Sequence, residues 1–210
     1  MPRAFQILAV LVIITVSLTG LSPGAPATNA KSYFDQGIDF FKKKQYDQAV
    51  AKFGQAIQLD PGYALAYSMR GISYYRCGFF TLAMADFNKV IKLNPRRASA
   101  YNYRGLIYFN NNKNYHKAIR EYDKAIKLNP KFAVYYNNRG MAYYDNGDYD
   151  KALADFNKAI LLNPDLAVAY RNRSQVFLKQ KADNQAKEDM RRAQELQSKQ
   201  KLRQITGITE

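Results

Sequence analysis

From residue 30 onward, apolar and small residues return every three to four positions, which is the period of a helix with one buried stripe. In "YNNRGMAYY", Tyr136, Arg139, Gly140 and Tyr143 stand at i, i+3, i+4 and i+7, so an arginine and a glycine share the packing face with two tyrosines. Glycine inside a helix costs about 1 kcal/mol against alanine, and a charge pressed toward a neighbour needs neutralising. The stretch recurs as "YSMRGISYY" from Tyr67, "YNYRGLIYF" from Tyr101 and "YRNRSQVFL" from Tyr170. After each a second stripe follows. Ala83, Phe87 and Val90, like Ala152, Phe156 and Ala159, lie at i, i+4 and i+7 of a second helix. The pattern predicts pairs of helices joined by tight turns.

Prolines end the second helices at Pro61, Pro95, Pro130 and Pro164, each after a leucine and an Asp or Asn. Their spacing is 34, 35 and 34 residues, the extra residue falling in "FNNNKNYHKA". The predicted units are 30–63, 64–97, 98–132, 133–166 and a divergent fifth at 167–200. The fifth has Ser174 for glycine and no closing proline; its polar second half suits a solvating cap, with residues 201–210 as a frayed tail.

Recurrence in register of the aromatic, small, aromatic, alanine, aromatic, alanine and proline positions resembles the tetratricopeptide repeat. The resemblance covers about residues 30 to 200 and implies an all-α, right-handed solenoid of helix-turn-helix units with a concave groove lined by first helices. It further implies that a peptide segment or assembly partner is held by residues beside the packing stripe. These are Met69, Ile72 and Tyr75; Asn102, Tyr103, Leu106 and Phe109; Asn137, Asn138, Met141 and Tyr144; and Arg171, Asn172 and Gln175. The lysine, asparagine and arginine set with which some relatives clamp a C-terminal carboxylate is not assembled, since Asn102, Leu106 and Val168 stand where lysine, asparagine and lysine are needed.

The arginines invite a different reading. Units two to five each carry an arginine on the first helix and an acid on the second: Arg70 with Asp86, Arg104 with Glu121, Arg139 with Asp155, Arg173 with Asp189. Unit one has Gln36 and Lys52 and so lacks both together. Joint presence and absence within one chain points to a structural ion pair inside each unit; the alternative is that the arginines face a ligand. The glycines (Gly37, Gly71, Gly105, Gly140) mark where the two helices of a unit come closest.

Charge adds a second candidate surface. The 210 residues carry a formal net charge of +15, which favours anionic partners. Lys89, Lys124 and Lys158, with Lys92 and Lys127, recur along successive second helices as a ridge suited to anionic membrane or envelope polymer. A further expectation is weak self-association through an open end.

At the N-terminus, Arg3, an apolar run from about Phe5 to Leu18 and a small-residue stretch ending Ala25-Pro26-Ala27 have the layout of a signal peptide over residues 1–27, with cleavage after Ala27 or Ala30. The expected location is therefore periplasmic or secreted, the alternative being an uncleaved membrane anchor; export makes nucleic acid an unnatural partner. One cysteine (Cys77) and one histidine (His116) leave no intrachain disulfide and no Cys/His metal set. No nucleophile–base pair or phosphate-cradling loop stands out, so the expectation is a non-enzyme that needs no cofactor.

Overall fold

A computed structural model describes residues 29–111 and 113–206. The proposed signal peptide lies outside these residues, as do residues 207–210 of the tail.

Ten helices follow one another along the described residues, with no strand: α1 (Ala30–Lys42), α2 (Tyr46–Leu59), α3 (Ala64–Arg76), α4 (Phe80–Leu93), α5 (Ala98–Asn110), α6 (Tyr115–Leu128), α7 (Ala133–Asp145), α8 (Tyr149–Leu162), α9 (Ala167–Lys179) and α10 (Asp183–Thr206). Each odd-numbered helix packs on the even-numbered helix after it, and each even-numbered helix on the next odd one. Successive first helices also touch, α1 with α3, α3 with α5, α5 with α7 and α7 with α9, whereas among the described residues no two second helices do. The first helices therefore crowd together and the second helices splay apart. The stack is an all-α solenoid whose inner, concave side is made of first helices.

Turn chemistry explains the unit length. Asp60, Asn94 and Asn163 each accept a hydrogen bond on the side chain from the backbone N–H two residues on, bending the chain around the proline between. Tyr101 and Tyr136 donate their hydroxyls to the carbonyls of Pro95 and Pro130, both at 3.1 Å, tying each first helix to the turn before it. Within each unit, one turn residue adopts positive φ: Gly78 and Gly147 at 81° and 87°, but also Lys44, Lys113 and Lys181 at 60°, 46° and 58°.

The core is a column of small residues and aromatics. Phe53, Phe87, Tyr122 and Phe156 are sealed at 0–1% exposure between neighbouring helices. The glycines make room for these rings: a Cβ on Gly105 would lie 2.5 Å from the Tyr122 ring, and one on Gly140 2.7 Å from Phe156. Such separations are impossible without moving a buried ring, so the helix gives up propensity for close packing.

Both ends of the stack carry polar residues at places that are apolar inside it. The residues that meet the next first helix read Tyr149, Leu153, Phe156 and Ile160 on α8; on α10 the same places hold Asp183, Lys187, Met190 and Gln194. Met190 is left 38% exposed beside a cavity of about 300 Å³. At the other end Ser32 and Asp39 stand where Ala66 and Ser73, or Ala100 and Ile107, are buried. With no proline to stop it, α10 continues to Thr206, so residues 201–206 are helical, in place of the frayed tail read from the sequence.

Candidate partner-binding groove

Each arginine of the packing stripe lies among three helices. Arg139 donates from Nε and Nη2 to the two oxygens of Asp155 on α8, at 2.8 and 2.7 Å. Arg70 grips Asp86 (2.9 and 2.8 Å) and Arg173 grips Asp189 (2.8 and 2.6 Å) in the same two-pronged way, while Arg104 meets one oxygen of Glu121 at 3.0 and 2.5 Å. The carboxylates are buried, Asp86, Glu121, Asp155 and Asp189 exposing only 4–6%. The hydrogen bond to Asp155 raises the Arg139 guanidinium above its ordinary pKa; burial pushes the Asp155 carboxyl up, against the pull of Arg139.

In three of the four arginines the free nitrogen reaches backward, which the sequence did not reveal. Nη1 of Arg104 donates to Asn88 (2.8 Å), that of Arg139 to Asp123 (2.6 Å) and that of Arg173 to Asn157 (2.7 Å), each on the second helix of the preceding unit. Arg70 has Gly54 at that place and lacks this third contact. Aromatic rings close the sleeve, Tyr136 and Tyr143 lying 5.7 and 5.8 Å from the Arg139 guanidinium. One side chain thus joins both helices of its unit and the unit before it. These arginines are engaged by the protein's own carboxylates.

Three of the asparagines expected to meet a partner are likewise spent. Asn102, Asn137 and Asn172 are 6–8% exposed, buried where successive first helices touch. Their amides form a relay: Asn172 donates to Asn137 (2.9 Å), Asn137 to Asn138 (3.4 Å) and Asn138 to Asn102 (2.9 Å), running from α9 through α7 to α5. Burial without a partner would be costly, so the amides satisfy one another. Tyr103 also packs between units, stacked on Phe87 at 5.0 Å with its edge toward Tyr75, and burial pushes its phenol pKa up. The reading of Asn102, Tyr103, Asn137 and Asn172 as open groove contacts is corrected accordingly.

What remains on the concave side is apolar and aromatic. Ile72, Leu106 and Met141, with the polar Gln175 at the same place on α9, each follow the glycine or serine of their helix and are half-buried, the three apolar side chains packing in part on the core of the stack. Three residues further along, Tyr75, Phe109 and Tyr144 pack edge-on or tilted against Phe80, Tyr115 and Tyr149. The Tyr75 hydroxyl accepts a hydrogen bond from Asn110 at 2.5 Å. Met69 and Arg171 are half-buried beside this strip, their carbonyls accepting from Ser73 and Ser174.

On the outer side the lysine ridge is partly engaged. Lys89 lies 5.7 Å from the Tyr67 ring; Lys124 lies 5.8 Å from Tyr101 and donates to Glu121 at 3.3 Å. Lys92, Lys127 and Lys158 are exposed. Among the described residues no group of three His, Cys, Asp or Glu could hold a metal ion, and no helix is long and apolar enough to cross a membrane.

A solenoid of helix pairs, closed by proline turns and pinned by an aromatic on a glycine, defines a repeat protein of the tetratricopeptide class. A tetratricopeptide-repeat family model matches residues 133–166, and a second TPR repeat model matches residues 37–78 and 111–147. The chain is a tetratricopeptide-repeat protein. Similar solved structures include MamA from Desulfovibrio magneticus RS-1 (20% identity over 84% of this chain and 99% of that one, TM-score 0.70). PilW, described as a type IV pilus biogenesis factor, is 17% identical over 80% of this chain and 78% of its own (TM-score 0.74). YrrB, described as a TPR protein with an unusual peptide-binding site, is 20% identical over 81% and 87% (TM-score 0.61). At such identities the likeness is one of fold. No match was found among curated proteins.

Proposed function

We propose that the chain is an exported, non-enzymatic interaction scaffold that holds a polypeptide segment of a partner in its concave groove. The observation that carries this reading is the strip of half-buried apolar and aromatic side chains along the first helices, centred on Leu106, Phe109, Met141 and Tyr144. A surface of that kind gains free energy by being covered. The peptide-binding site of YrrB and the role of PilW in pilus biogenesis lend support by analogy. Export rests on the signal-like N-terminal sequence, and the scaffold needs no cofactor.

The test is capture of partners from an envelope extract by the full chain at low and high salt, repeated with Met141→Glu. Met141 is chosen because Asn138 and Tyr103 join neighbouring units. Partners retained in high salt and lost with Met141→Glu support the groove. Capture that vanishes with salt and ignores Met141→Glu would move binding to the exposed Lys92, Lys127 and Lys158, and so to an anionic membrane or envelope polymer.

A further inference from the structure

We infer that the segment fitting this groove is an acidic amphipathic helix, a proposal that rests on the groove reading above. An extended peptide needs donors and acceptors for its own backbone. The amides best placed to supply them, Asn102, Asn137, Asn138 and Asn172, are already joined to one another across three first helices. A helix satisfies its backbone internally and asks only for an apolar seat. Ile72, Leu106 and Met141, flanked by Tyr75, Phe109 and Tyr144, offer such a seat along three successive first helices. The sulfur and ring surfaces adapt to varied apolar side chains.

Charge selects the flanks of the ligand. Arg76 and Lys179 end α3 and α9, Arg97 precedes α5 and Arg171 lies in α9; none forms an ion pair among the described residues. At the register of Arg76 and Lys179, α5 has Asn110 and α7 has Asp145, whose carboxyl is raised by burial and lowered by Lys113. The first-helix side thus presents unanswered guanidinium and ammonium groups beside an apolar strip. Carboxylates on either side of an apolar helical face complement it.

The test selects displayed random peptides of about 18 residues, five helical turns, on the full chain. Synthetic copies of the winners are then measured by fluorescence anisotropy and circular dichroism. The expected winners carry apolar residues at i, i+3, i+4 and i+7 with Asp or Glu between them, and gain helicity on binding. Their affinity should fall at least about tenfold with Met141→Glu and severalfold with Arg171→Glu, a half-buried position outside the core clusters, with circular dichroism of each variant confirming its fold. Winners without helical period, or enriched in proline, whose binding still fails with Met141→Glu would overturn the helix while sparing the groove. Basic winners would overturn the charge assignment. Winners indifferent to Met141→Glu, or no winners at all, would sink the groove reading together with this proposal.

Discussion

Replacing Arg139 by methionine keeps an apolar stem between Tyr136 and Tyr143 but leaves Asp155, whose side chain is 8% exposed, facing no cation. Removing one partner of a buried pair costs about 3–5 kcal/mol; with the Arg139 side chain 21% exposed, the low end, about 3 kcal/mol, is expected. Asp155→Leu should cost less, about 2 kcal/mol, because the guanidinium keeps Asp123, a half-exposed and weaker partner. The double variant leaves no stranded charge and should also lose only about 2 kcal/mol, so the two losses couple by about 3 kcal/mol. Urea unfolding followed by circular dichroism at pH 7 reads all four corners of the cycle. The sign with pH is fixed as well. Without Arg139 the Asp155 carboxyl rises further above its unfolded value, so the folded state holds the proton more tightly, and the penalty should shrink as pH falls toward 4. Losses that simply add, or that do not change with pH, would refute the pair as the element that holds α7 to α8.

Three other outcomes follow from the same packing. Burial raises the phenol pKa of Tyr74, Tyr75, Tyr103, Tyr122, Tyr135 and Tyr143 above the ordinary 10.0, so the stability they lend is complete below about pH 10 and lost above it. Ultraviolet titration should show these six ionising only as helicity is lost, and earlier ionisation would contradict the burial. Lys44 and Lys181 hold positive φ at 60° and 58°, so replacing either by glycine should stabilise the array by about 0.5 kcal/mol, seen as a rise in Tm. Rebuilding the α8 face on α10 with Asp183→Tyr, Lys187→Leu and Gln194→Ile should turn the chain into a self-associating one by light scattering; a species of unchanged mass would argue that those polar residues are not what ends the stack.

Much of this was legible in the sequence because a repeat carries its own controls. Four copies of the arginine with four acids, and one unit lacking both, identify the pairing of Arg70, Arg104, Arg139 and Arg173 from the sequence alone. The glycines were legible for the same reason, each standing four places from a tyrosine or phenylalanine of its own helix and opposite a large ring of the next. What escaped lies between units. Asn88, Asp123 and Asn157 are exposed in their own helix and look like solvent-facing residues, so nothing local marks them as acceptors for the arginine of the next unit. The asparagine relay is not legible in the sequence because the face that lines a groove and the face where first helices touch differ by a single helical position. A difference of that size cannot be judged from periodicity alone.

The backward reach of the arginines bears on how such a chain changes length. From the second unit to the fifth, each link is made by the same side chain to the same place on its predecessor, so the units between are interchangeable. If residues 98–132 were excised, Arg139 would come to lie over Asn88 as Arg104 does now. The terminal units are not exchangeable, since the first lacks the arginine and the acid and the last presents a polar face where another unit would sit. Gain or loss of a repeat can therefore occur among the middle units with the first and fifth units preserved, so the span between those two is free to vary without any new kind of contact.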